Sequence, residues 1–312
     1  MKGAVLFYLD NLQKDREGYL VTNPSASFEN TFRKPDGETG WACVGAAQDM
    51  QIIRSLFHNT LQAIDVLQED SEFKKQIEQA YQQLAPMKIS PRTGQLQEWN
   101  DDWDASSPYN GQVAQVWGLV ASNLITLRGT PELAQAIRAT IEYRRPGYSY
   151  NSGSWTGAFP ANAWARLEEG DSVQSVINRH FRLAVFPNLT CRFFDTWEID
   201  GNLGIASAIA ESLLQSHSGE IHLLPALPSK YPTGFVKGLR ARGGAMVDIY
   251  WEDGKLVKAN IQAEKGGNFV VRYGSRIQLI RKGNPDQTLS GETITINLQP
   301  DEQIELRAIT YI

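Results

Sequence analysis

The apolar spacing of this chain changes period once, near His217, and that change constrains the fold more than any other feature. Before it the spacing is helical. Ile53, Phe57, Leu61 and Ile64 form one stripe, and Phe73, Ile77, Tyr81 and Leu84 form a second, ended by Pro86. Thr130-Pro131-Glu132 offers a capping hydroxyl and a first-turn proline ahead of Leu133, Ile137 and Ile141. Val5, Leu9 and Leu12 share a face at the start, and further helices are predicted over 111–126, 157–168, 172–184 and 203–216. Long polar connections at 18–45, 86–110 and 145–156 alternate with short ones, as in an α/α toroid whose long loops gather at one end. After His217 comes an extended linker, Leu223-Leu224-Pro225-Ala226-Leu227-Pro228, and then alternation. Val257, Ala259, Ile261 and Ala263 point one way, and Lys258, Asn260 and Gln262 the other, behind an Asp253-Gly254 hairpin turn. Phe269–Tyr273, Arg276–Arg281, Thr293–Leu298 and Gln303–Ala308 continue the pattern. The expected fold is mostly α with a β domain: a helical domain over 1–217 and an antiparallel β-sandwich over 218–312.

Composition narrows the partners. Among 312 residues the net charge is −5, with Lys and Arg scattered, so nucleic acid is excluded as an expected partner. No apolar run is long enough to span a bilayer, and no signal peptide is visible, which leaves localisation open. Cys43 and Cys191 are expected to be free buried thiols. The four histidines lack metal-type spacing, so neither metal nor organic cofactor is expected. The chain opens inside an amphipathic pattern without a cap, which suggests a domain that begins upstream of Met1.

The chemistry concentrates in Leu96-Gln97-Glu98-Trp99-Asn100-Asp101-Asp102-Trp103-Asp104, with four carboxylates and two indoles. Aromatic planes stack on sugar faces, and a carboxyl against Trp99 or Trp103 and among other acids is pushed toward its protonated form. A glycosidase makes its general acid in this way, and Glu98 is the candidate. The competing readings are a solvated acidic loop with two core tryptophans, or a calcium site on Asp101, Asp102 and Asp104, whose spacing fits no standard loop. The second carboxylate is Asp200, in Ile199-Asp200-Gly201-Asn202. Asn202 is expected to cap the helix carrying Ile205, Ile209 and Leu213, which places Asp200 just before a positive helix end that favours its anion. A plain helix cap is the alternative. The polar run Tyr19–Thr31, with Asn23, Glu29 and Asn30, could line a sugar pocket or form a surface loop. Trp41, Trp117, Trp155 and Trp164 are expected in the core or a pocket wall.

Together these stretches resemble glycoside hydrolase family 95, a family of inverting α-L-fucosidases. Thr22-Asn23-Pro24-Ser25 with Glu29-Asn30-Thr31-Phe32 is similar to that family's T-N-P-S…E-N-T-F segment. Asp49-Met50-Gln51-Ile52-Ile53-Arg54 with Leu56-Phe57, Leu96-Gln97-Glu98-Trp99 and Ile199-Asp200-Gly201-Asn202 follow in the family's order. So do the run from Leu214-Gln215-Ser216-His217 to Leu223–Pro228 and then Gly238-Leu239-Arg240-Ala241-Arg242-Gly243-Gly244. The resemblance implies an (α/α)6 barrel followed by a β domain, with a fucosylated or related oligosaccharide as ligand. It implies Glu98 as the acid that protonates the glycosidic oxygen and Asp200 as a group that helps activate water. Inversion needs the two roughly 6.5–9.5 Å apart. Trp99, Trp103, Asn23, Glu29, Asn30, Asn110, Gln112 and Asn202 are the expected substrate contacts.

Two departures stand out. The family's N-terminal β domain and its upstream Asn-x-Asn pair lie outside this sequence, and about eight of twelve barrel helices are legible. A missing N-terminal portion of the same enzyme is therefore an expected partner. The family's H-R-H-x-S-H-L run is replaced by Asn110-Gly111-Gln112-Val113-Ala114-Gln115-Val116. Amides still bond hydroxyls but carry no titrating charge, so a related L-sugar competes with fucose as the expected ligand. The alternative to hydrolysis is a glycan-binding or degenerate fragment.

Overall fold

The computed structural model describes residues 1–68, 70–107, 111–144 and 154–309. The chain forms two compact units, Met1–Ser152 and Gly153–Ile312. No helix among the described residues is long and apolar enough to cross a membrane.

In the first unit α1 (Lys2–Asn11), α2 (Ala47–Leu67) and α3 (Ser71–Gln83) pack together. Their core includes Val5, Ile53, Phe57, Phe73 and Ile77 from the helical stripes, joined by Met50. Leu84 follows α3 in an extended conformation, ahead of Pro86. The helix expected over 111–126 is a correction. A 3-10 turn (Ala114–Val116) and a single-turn helix α4 (Trp117–Val120) replace it. Ser122 explains the stop: its hydroxyl donates to the Gly118 carbonyl and accepts from the Leu124 N–H, competing with the helical ladder. α5 (Pro131–Arg144) starts at the expected proline.

In the second unit α6 (Ser154–Arg166), α7 (Gly170–Leu183) and α8 (Ile199–Leu213) pack on one another before two sheets. Within neither unit do the described helices close a barrel. One sheet has six antiparallel strands in the order 234–241, 245–252, 255–263, 303–308, 277–281, 287–289. The other has four, in the order 214–215, 221–223, 267–272, 293–298. Here 221–223 runs parallel to 267–272, so the region is rich in antiparallel pairs but not wholly antiparallel. Ala245, Val247, Ile249 and Trp251 alternate inward, with Asp253 and Gly254 in the hairpin turn at positive φ. The inward face expected to begin at Val257 begins instead at Leu256. The register shifts where Trp251 meets Leu256, and this irregularity leaves Val257 exposed.

Candidate functional site

Glu98 is fixed by the backbone before its side chain does anything. Its carbonyl accepts from the Ala47 N–H, one of the unpaired donors at the start of α2, at 3.0 Å. Two residues earlier the Leu96 N–H reaches the Thr140 hydroxyl and the Ala136 carbonyl of α5. The strand Phe32–Arg33 pairs with Asp104–Ala105 on one side and Thr39–Gly40 on the other, closing the acidic loop. Phe32 meets Trp103 at 4.3 Å between ring centroids and Trp99 edge-on at 6.1 Å.

Glu98 is buried, with 4% of the residue exposed. The Ser27 hydroxyl donates to Oε1, Asn30 Nδ2 donates to both oxygens, and Arg144 Nη2 donates to Oε2 at 2.7 Å. Arg144 is as buried as its partner, and Nη1 also reaches the Gln112 carbonyl at 3.3 Å. Gln112 Nε2 in turn donates to Glu29 Oε2 at 2.7 Å, and Glu29 takes a left-handed backbone, φ 50°. Four of the expected residues, Glu98, Glu29, Asn30 and Gln112, are thus brought into one network.

Sequence reasoning missed Ser27 and Arg144. A signal for Arg144 existed: it continues the buried Ile137–Ile141 stripe of α5, and a charge on an apolar stripe calls for a buried partner. The surroundings expected for Glu98 need correction. Asp102 and Asp104 turn to Arg92 and Asp101 turns to Arg16, while a cation meets Glu98 itself.

A pocket beside Glu98 is lined by Trp99, Trp103, Gln115 and Arg144 among others. Trp99 is buried against Phe32, Cys43 and Ala46, and Trp103 is half-buried beneath Lys34. Trp99 Nε1 and Gln115 Oε1 are buried and have no hydrogen-bond partner among the described residues. Gln51 of α2 holds the Gln115 turn, donating to its carbonyl and accepting from the Gly118 N–H, both at 2.7 Å. Burial raises the Cys43 thiol to about 11, which makes it inert packing. Asn23 is exposed and bonded to Gln13, not to the Glu98 network, and Asn110 lies outside the described residues. Trp41, expected in the core or a pocket wall, is not in the core: it is 60% exposed.

Asp200 belongs to the second unit. It is exposed within the first turn of α8, because the helix starts at Ile199 rather than after Asp200. Asn202 is not a cap. It accepts from the Cys191 N–H and donates to the Leu189 carbonyl, tying the 189–191 loop to α8. Cys191 Sγ lies 3.1 Å from Nε2 of buried His180. Burial lowers His180 to about 4. Between that value and the unfolded value of about 6.5 the unfolded chain binds more protons, so stability falls as pH drops through this window. The expected loss is about 3 kcal/mol by pH 4, read as a pH-dependent urea midpoint that flattens in His180→Phe.

Among the described residues no group of three His, Cys, Asp or Glu side chains is placed to hold a metal ion.

Residues 1–213 match the glycosyl hydrolase family 95 catalytic domain, and residues 215–306 match the family's C-terminal domain. The chain belongs to glycoside hydrolase family 95. It is 32% identical over 278 residues to alpha-L-fucosidase 2 of Arabidopsis thaliana, covering 85% of this chain and 32% of that protein. It is 28% identical over 300 residues to a probable alpha-fucosidase A of Aspergillus niger, covering 88% of this chain and 37% of that one. The chain therefore spans about a third of the length of the curated relatives it matches.

Proposed function

We propose that this chain is the Glu98-bearing part of an inverting glycoside hydrolase that removes a terminal α-L-fucose, or a related L-sugar, from an oligosaccharide. Glu98 is the general acid: its proton passes to the glycosidic oxygen as the bond to the anomeric carbon breaks. Asp200 helps activate the water that attacks from the opposite face. The helical domain over 1–217 is read as part of an (α/α)6 barrel, completed by the upstream portion of the same enzyme and followed in sequence by the β domain over 218–312. The family match and the relatives' names support this reading.

One observation carries it furthest. Two residues that line the pocket beside the buried Glu98 carboxyl hold a buried donor, Trp99 Nε1, and a buried acceptor, Gln115 Oε1, without a hydrogen-bond partner among the described residues. Sugar hydroxyls both donate and accept, so a polyol suits such a wall better than an apolar ligand does. Glu29, Asn30, Gln112, Trp103, Asn23, Asn110 and Asn202 remain the proposed substrate contacts.

The Glu98–Arg144 ion pair favours a second reading, in which the pocket holds a glycan without cleaving it. Incubation with a fucosyl-oligosaccharide separates the two. Release of the terminal sugar supports hydrolysis, and saturable heat in calorimetry without product supports binding alone.

A further inference from the structure

Among the described residues no hydrogen bond or ion pair steadies the exposed Asp200 carboxyl, so the backbone of the first turn of α8 sets where it points. That turn is fastened at one peptide. The Gly201 N–H, one of the unpaired donors of a helix start, reaches the Ser154 hydroxyl oxygen at 3.2 Å. It belongs to the planar peptide unit that also carries the Asp200 carbonyl, so holding it holds one side of Asp200.

Ser154 opens α6 and is fully buried. Its single proton goes to the Glu198 carboxylate, which leaves an oxygen lone pair for Gly201. The same Glu198 oxygen, Oε2, accepts from the Trp155 N–H at 3.4 Å. One carboxylate thus serves the starts of two helices, α6 directly and α8 through the hydroxyl. Packing leaves this arrangement little play. A Cβ at Gly201 would stand 2.5 Å from Ser154 Cβ and 2.9 Å from Cys191 Sγ, so glycine is needed for this approach. One turn on, Gly204 meets Ala158 as closely, and Asn162 of α6 donates to the Gly204 carbonyl at 2.8 Å. α8 is therefore seated along α6, and Ser154 is the side chain of α6 that reaches the Asp200 peptide itself.

We propose that Ser154 is a positioning residue for Asp200: oriented by Glu198, its hydroxyl fixes the first turn of α8 so that the carboxylate keeps the direction needed to draw a proton from the attacking water. The proposal rests on the reading of Asp200 as the group that helps activate that water. Ser154 acts through the backbone of α8 and takes no part in bond breaking.

The test is a double-mutant cycle on the full chain with an aryl α-L-fucoside. Ser154→Ala is expected to lower kcat about 10- to 100-fold, the cost of a misplacement of roughly 1 Å, with KM within about twofold. In the Asp200→Asn background the same change should cost nothing further, because the group it positions is already disabled. Glu198→Ala should reproduce the loss, and Glu198→Gln should recover most of it, since the amide oxygen still accepts the Ser154 proton. Amide exchange at Gly201 reads the contact without turnover: it should quicken about tenfold in Ser154→Ala, while the melting temperature falls by no more than about 4 °C. An equal fall in kcat in both backgrounds would make Ser154 merely structural and overturn the proposal, as would unchanged kcat in Ser154→Ala. If Ser154→Ala does not fold, the two Glu198 variants carry the same comparison in the same two backgrounds. If Asp200→Asn turns over as fast as the unaltered chain, or the unaltered chain releases no sugar, it is the reading of Asp200 that fails, and the positioning role falls with it.

Discussion

Glu98→Gln is expected to lower kcat/KM toward fucosides with poor leaving groups by about 10²–10⁴-fold, the usual contribution of general acid catalysis. An aryl fucoside whose phenolate leaves without protonation should lose far less, because its departing oxygen needs no proton. The contrast between the two substrates is the informative quantity, since damage to the pocket would depress both alike. Gln keeps the shape and can still meet Ser27 and Asn30, but it has no proton to give to a leaving oxygen. Unchanged turnover of the poor substrate would remove Glu98 from the role.

The second large effect concerns Arg144. The Arg144 and Glu98 side chains are each 3% exposed, so two opposite charges are buried against each other. Arg144→Met strips the cation from a buried carboxylate and should destabilise the chain by about 3–5 kcal/mol. The double variant Glu98→Leu/Arg144→Met removes both charges and should recover most of that loss, because a buried pair is worth little against an apolar replacement of similar size. Urea unfolding of the two single variants and the double variant gives the coupling directly. Additive losses would mean that the two groups do not depend on each other.

The two halves of the fold were legible to different degrees, for physical reasons. Long amphipathic helices announce themselves: Ile53 and Phe57 in α2, and Ile137 and Ile141 in α5, are buried as their spacing requires. Strand alternation over Ala259–Ala263 was equally plain, yet Val257 points outward because the register shifts, and no local rule in the sequence marks that shift. The parallel pairing of 221–223 with 267–272 joins segments far apart in the chain, which periodicity cannot reveal. In the site, ordered motifs single out Glu98, Glu29 and Asn30, and Gln112 stands out because an amide replaces a histidine of the family's run. Ser27 and Arg144 do not stand out, because their importance comes from meeting residue 98 across distances of 71 and 46 positions. Asn202 misled for a related reason: an Asn near a helix start suggests a cap, and only the structure shows it bonded to Cys191 and Leu189 instead.

The stereochemistry of the first product tests the hydrolytic reading most directly. The full chain is mixed with an α-L-fucosyl oligosaccharide, and the anomeric proton of the newly released sugar is followed by NMR before mutarotation scrambles it. Release of the β anomer first is the expected result, since water must enter opposite the departing oxygen. Release of the α anomer first, or no sugar released at all, would contradict the assignment of Glu98 as the acid of an inverting hydrolase.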